Sequence, residues 1–166
     1  MPSEVNLPSV PGWRGGMDRV EATTMSERSF VDYITHGLKA NCAPCSVTKH
    51  ADQWTPGIAD LSFRVGGVNG WVELKDVPKL PVRAETRVRF GSEFTTAQAL
   101  FLLERDGKLL IRVPERKLYL GMTADWAWEM QRDGGWALAA MRTHAAEWSR
   151  KIDWRELSEW LSTKTL

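Results

Sequence analysis

The stretch GIADLSFRVGGVNGWVELKDV, residues 57–77, reads as two strands joined by a tight turn. Leu61, Phe63 and Val65 alternate with Asp60, Ser62 and Arg64, the period of two that marks a strand with one buried face. Gly66-Gly67-Val68-Asn69-Gly70 supplies the turn of a hairpin. The second strand, Trp71 to Val77, puts Val72 and Leu74 on one face and Trp71, Glu73 and Lys75 on the other. The turn folds Asp60, at the start of the first strand, back beside Glu73.

Two carboxylates and a lysine so placed suit one chemistry in particular. Hydrolysis of a phosphodiester at neutral pH requires charge neutralised on the phosphate, a water made nucleophilic and the leaving oxygen stabilised. Divalent cations held by carboxylates accomplish all three. Mg²⁺ favours oxygen ligands and is usually held by one or two carboxylates, and Mn²⁺ is expected to substitute for it. Asp60, Glu73 and the backbone carbonyl of Leu74 are the candidate ligands. Lys75 is placed to orient or help deprotonate the attacking water, or to steady the phosphate charge.

Working outward, Ser26 can cap a helix that runs to about Ala40, with Phe30, Val31, Ile34 and Leu38 on one face. Glu27 falls on that same stripe (27, 31, 34, 38), and an inward carboxylate needs an explanation. Approach to the Asp60–Glu73 cluster, with a share in a second metal, would supply one. A short strand over Ser46 to His50 precedes the hairpin. Residues 78–94 form a long loop. A second helix starts at the capping-box signature Thr95-Thr96-Ala97-Gln98 and stops at Asp106-Gly107. Leu109, Ile111 and Val113 make a further strand, with a short one around Leu118 to Leu120. From Thr123 the pattern predicts helices over roughly 123–132, 136–150 and 153–163. The chain thus divides into an extended arm over residues 1–25, a core over 26–121 ordered α-β-β-β-α-β, and a helical tail over 122–166. The fold class is α/β, a sheet with helices packed against it.

At this point the residues resemble a known pattern. Pro56-Gly57-Ile58-Ala59-Asp60, twelve residues, then Glu73-Leu74-Lys75 resembles the signature of the PD-(D/E)XK nuclease superfamily. The element order resembles the restriction-endonuclease-like core of that superfamily. "GIAD", "WVELK" and "TTAQALFLLERDGKLLIRV" look most like the VRR-NUC and phage endonuclease I-type Holliday junction resolvase branches. The resemblance covers about residues 26–113. It implies a metal-dependent endonuclease acting on DNA, with branched or junction DNA as one possible substrate. It also implies a glutamate on the first helix and a glutamine opening the second helix at the site, which by position are Glu27 and Gln98. Ala59 stands where the family usually has proline before the aspartate, a change in backbone shaping and not in ligands.

Other features have two readings each. Lys79, Arg83, Arg87 and Arg89 lie just past the active strand and are read as contacts to flanking phosphates; the plain alternative is an exposed loop. His36, Cys42, Cys45 and His50 have a spacing open to zinc, but a single CxxC more often marks a reduced turn. His50 and Lys49 could instead reach the active site from the first strand. Six of nine tryptophans fall in residues 126–166. Trp154, Leu157, Trp160 and Leu161 share a helical face suited to packing on the core or on a second subunit, and stacking on unpaired bases is the other use. A homodimer through the tail or the arm would suit an enzyme that cuts two strands.

Composition sets bounds. A net charge of +1, from 22 basic and 21 acidic residues, excludes coating of nucleic acid by bulk charge, so contact must come from a local patch. No run of about 18 apolar residues is present, which predicts no membrane partner. The two cysteines are too few for a disulfide scaffold and Met1 to Gly16 lacks the plan of a secretory signal. The cytoplasm is the expected location, the host's if a phage encodes the chain. Two alternatives compete with an enzyme: a catalytically silent nucleic-acid-binding module of the same fold, and an assembly protein using the tryptophan tail.

Overall fold

The protein is described here from a computed structural model covering residues 26–50 and 55–164; the arm expected over residues 1–25 lies outside these. In chain order the elements are α1 (Glu27–Asn41), β1 (Cys45–Lys49), β2 (Leu61–Val65), β3 (Val68–Asp76), α2 (Thr96–Glu104), β4 (Lys108–Val113), β5 (Leu118–Thr123), α3 (Ala124–Arg132), α4 (Leu138–Thr143), β6 (Ala146–Ser149) and α5 (Trp154–Ser162). The strands form one mixed sheet in the order β1-β2-β3-β4-β5-β6. All neighbours are antiparallel except β3 and β4. A parallel pair needs a long crossover, and the loop after β3 together with α2 provides it.

Local chemistry accounts for the elements that position the site. Ser26 caps α1 by accepting the Ser29 N–H. Gly66 and Gly67 have φ of +57° and +78°, so the turn is the two-residue type that only residues tolerant of positive φ can make. Val65 pairs with Val68 across it, which assigns Val68, Asn69 and Gly70 to the strand and shortens the turn expected from the sequence. Thr95 and Gln98 form the reciprocal capping box at the start of α2.

Both faces of the central strands are covered. On one face, α1 and α5 bury Phe30, Ile34, Leu38, Leu61, Phe63, Val72, Leu74 and Leu157. On the other, α2 and α3 bury Ala99, Leu102, Leu109, Ile111, Leu120, Met122 and Met130. Consequently every residue from Val72 to Val77 is buried, charged ones included.

The tail differs from the expected run of helices. The helix predicted over 136–150 is limited to α4, and residues 146–149 become β6, paired with β5. An unpaired β5 edge would expose its backbone N–H and C=O groups, and pairing satisfies them while seating Trp148 in the core. Local helical pattern yields to that tertiary gain. The apolar face of α5 (Trp154, Leu157, Trp160, Leu161) packs within the chain, beside α1, β2 and β3. Among the described residues no helix is long and apolar enough to cross a membrane.

Candidate active site

Asp60 immediately precedes β2, and the hairpin register (Leu61 opposite Val72) sets it beside Glu73. The two are tied reciprocally. The Asp60 N–H donates to Glu73 Oε2 at 3.2 Å, and the Leu74 N–H donates to Asp60 Oδ2 at 2.8 Å. The Asp60 carbonyl accepts the His50 N–H at 2.8 Å, carrying the β1–β2 pairing one residue further. The backbone that presents Asp60 is therefore held from both neighbouring strands.

Gly57 sets the approach of this backbone. Its φ is +82°, and a Cβ built there would lie 2.7 Å from the main chain of Ala97 in α2. Substitution by alanine combines a strained φ with a contact that backbone cannot relieve cheaply. Gly57→Ala is expected to destabilise the fold by about 2 kcal/mol or more. Urea denaturation of the variant measures it.

Glu73 is fully buried and Lys75 is 3% exposed. They share one face of β3, and Lys75 Nζ lies 2.9 Å from Glu73 Oε1. Gln98 Nε2 donates to the same oxygen. The capping box explains that aim: Gln98 Oε1 is taken by the Thr95 N–H at 3.0 Å, so the amide turns its nitrogen toward Glu73. Glu27 arrives from the first turn of α1, with Oε1 3.4 Å from Lys75 Nζ. Ser92 links the two, donating to Glu27 Oε1 at 2.8 Å and accepting from Lys75 Nζ at 2.9 Å. The five residues singled out from the sequence thus meet in one hydrogen-bonded cluster. Ser92 is the member that sequence reading missed, since a serine in an irregular loop carries no periodic signal.

The charges do not balance. Asp60, Glu73 and Glu27 face one ammonium. Burial pushes Glu73 up to about 7, reinforced by the negative charge of Asp60 and opposed by Lys75. Burial likewise raises Asp60, against the Leu74 N–H bond and Lys75. Burial alone would lower Lys75, but Glu73, Glu27 and Asp60 together outweigh it and hold the ammonium form. Such a pair of carboxylates favours a bound proton or a bound cation between them.

The donor set fits a hard cation. A carboxylate has about four acceptor positions. Three donors occupy Glu73, leaving capacity on Oε2, and Oδ1 of Asp60 has no hydrogen-bond partner among the described residues. No three His, Cys, Asp or Glu side chains converge as a ready-made cage among the described residues. Glu27 Oε1 is engaged by Ser92 and Lys75, while its Oε2 has no hydrogen-bond partner among the described residues.

The remaining predicted residues lie apart. Lys79, Arg83, Arg87 and Arg89 are exposed, and none has a hydrogen bond or ion pair to the carboxylate cluster. Arg87 donates to the Gly134 carbonyl at 3.4 Å, which turns it toward α3. The zinc spacing does not gather its four members. Cys42 Sγ donates to the Trp154 carbonyl, Cys45 Sγ to the Leu38 carbonyl, His36 Nδ1 pairs with the Asp32 carbonyl and His50 Nε2 with Ser62 Oγ. Lys49 pairs with Asp32 at the surface, away from the cluster, whereas His50 packs 5.0 Å from the Trp71 ring on the Glu73 face.

No protein-family model matches the chain, and no curated protein does. Among solved structures, a bacterial homing endonuclease, I-Ssp6803I, is similar at 17% identity and a TM-score of 0.37, over 81% of this chain and 88% of that one. At that degree of likeness the two need not share a topology.

Proposed function

We propose that the chain is a metal-dependent nuclease hydrolysing DNA phosphodiester bonds, with Asp60, Glu73 and Lys75 at the reacting centre. One observation carries this reading: a fully buried glutamate facing a second carboxylate. An arrangement that raises both carboxylates costs folding stability, and an apolar pair would serve packing better. Sites that break local rules in this way are where function is expected.

Asp60, Glu73 and the Leu74 carbonyl would hold the cation, and the open Oε2 of Glu27 would contribute to a second one. The Leu74 N–H points at Asp60, and in a strand the carbonyl of the same residue faces the same edge. When bound, Mg²⁺ or Mn²⁺ would supply charge neutralisation on the phosphate, an activated water and stabilisation of the leaving oxygen. Lys75, kept as an ammonium, orients the attacking water and meets negative charge developing on the phosphate; proton acceptance does not suit it. Gln98 fixes the Glu73 carboxylate, and Glu27 with Ser92 fixes the ammonium. Lys79, Arg83, Arg87 and Arg89 contact phosphates away from the cut.

The resemblance to the PD-(D/E)XK superfamily, and to its junction-resolving branches, supports the same reading and adds branched DNA as the substrate. Two cuts on one junction require two active sites, hence a homodimer, which sedimentation with and without a four-way junction tests.

The direct test incubates the protein with branched, flapped and linear duplex DNA, and with RNA, in Mg²⁺ or EDTA. Cleavage that needs Mg²⁺ is expected. Cleavage that ignores EDTA, or none on any substrate, overturns the reading; salt-dependent binding without products would mark a silent binding module. Ser92→Ala is expected to lower kcat about ten-fold with KM little changed, since it removes a support of Lys75 and no substrate contact.

A further inference from the structure

The sheet face that carries Glu73 is covered by α2 and α3 only as far as β3. On β1 and β2 the apolar residues Val47, Leu61, Phe63 and Val65 point to the α1–α5 side. Their alternates Ser46, Thr48, Ser62 and Arg64 lie on the opposite face, where no helix packs among the described residues. A groove of about 460 Å³ opens there, lined by Ser46, Ser62, Arg64, Asn69, Trp71 and Arg105.

A polar open face is by default a solvated one. Three observations set this one apart. First, it is continuous with the carboxylate cluster: Asp60, Ser62 and Arg64 alternate along one face of a strand, and Trp71 sits two residues before Glu73. Second, its charge is one-sided. Arg64 and Arg105 line it and no carboxylate does, in a chain with 21 acidic residues. Arg64 is exposed and has no ion-pair partner among the described residues, while Arg105 leans on the Phe101 ring at 4.1 Å and forms an exposed ion pair with Glu104 at 3.4 Å, a weak pair that a phosphate can displace. Third, it has a rigid aromatic wall, Trp71 packed between His50 and Phe101 at 5.0 Å from each.

The spacing defines the occupant. Four residues of strand separate Arg64 from Asp60, about 13 Å at 3.3 Å per residue. Phosphates of one DNA strand advance about 3.4 Å along the helix axis but also wind around it, so neighbours lie about 7 Å apart in space and about 13 Å corresponds to about two nucleotides. We propose that this groove seats the DNA strand on one side of the scissile phosphate, with Arg64 and Arg105 holding phosphates about two nucleotides from the cut. Ser46 and Asn69 donate to the same backbone, and the contacts position the strand without reading its sequence. The assignment rests on the nuclease reading given above.

The test uses the full chain carrying Arg64→Glu and Arg105→Glu together, with Lys151→Glu and Arg155→Glu together, both exposed near the start of α5 and away from the groove, as a charge-matched control. Binding of fluorescent duplex DNA is measured in EDTA across a salt series, and cleavage in Mg²⁺ on substrates shortened stepwise on either side of the cut. The double variant is expected to bind at least ten-fold more weakly than the control, with the slope of log K against log salt reduced by about two. Wild-type cleavage should fall once one flank is shorter than about two nucleotides, and the double variant should be indifferent to that shortening. Wild-type cleavage together with unchanged affinity and salt slope in the double variant overturns the groove and leaves the nuclease reading standing. Wild-type binding without products overturns the nuclease reading, and the binding series still decides the groove. Absence of both binding and cleavage removes both.

Discussion

Replacing Glu73 with glutamine is expected to lower Mg²⁺-dependent cleavage by about a thousand-fold or more while leaving the chain folded. The exchange keeps the volume of a fully buried side chain, removes its charge and turns one acceptor oxygen into an amide donor. It should also change how stability depends on pH. The Glu73 carboxyl is raised by burial to about 7 in the fold, from 4.5. Its favourable contribution is complete below the unfolded value of 4.5 and is lost as pH rises through about 7. In metal-free protein this corresponds to about 3 kcal/mol of stability disappearing across that window. Glu73→Gln should flatten the loss. Urea denaturation between pH 4.5 and 8 in EDTA, beside initial cleavage rates in Mg²⁺, reads both consequences. A variant that cuts like wild type takes Glu73 out of the chemistry. One that loses cleavage but keeps the wild-type pH slope assigns the shared proton to Asp60, which burial raises in the same direction.

The second large effect concerns stability. Asp76 and Arg112, adjacent on β3 and β4, form a bidentate pair in the α1–α5 layer, with contacts of 2.8 and 3.0 Å and each residue 5% exposed. The guanidinium also lies 4.7 Å from the centre of the Phe30 ring. Arg112→Met keeps bulk and leaves the Asp76 carboxylate buried without its guanidinium, which is expected to cost about 3–5 kcal/mol. Adding Asp76→Leu to that variant should recover most of the loss, because burying two apolar groups carries no desolvation penalty. Chemical denaturation of the two single variants and the double completes the cycle. The pair also bears on the site: the Asp76 carbonyl accepts the Gly91 N–H at 2.7 Å, one residue before Ser92. Arg112→Met should therefore lower cleavage as well, through Ser92 and Lys75.

Features governed by short-range chemistry were legible in the residues themselves. Ser26 before an apolar stripe specifies the start of α1, and Gly66-Gly67 specifies the hairpin because few other residues accept positive φ twice in succession. The hairpin in turn sets the register that brings Asp60 to Glu73, and strand parity puts Glu73 and Lys75 on one face. The Thr95–Gln98 capping box is a local contract between four residues, and it also aims Gln98 at the site.

What required the tertiary structure is whatever depends on partners distant in the chain. Burial of Glu73 arises because α2 closes over β3, a contact between residues 25 apart, and that burial is what raises its carboxyl. Ser92 enters through a loop with no pattern of its own, and β6 replaces a helix because an open sheet edge is worse than a lost local preference. The four residues of the zinc spacing do not gather among the described residues, and each is committed to a different hydrogen-bond partner. Sequence alone determined which groups could perform the chemistry, since side-chain identity, strand parity and turn geometry are local. Their protonation, the clamp around Lys75 and the open groove beside them were decided by packing, since desolvation and charge balance are properties of the assembled interior.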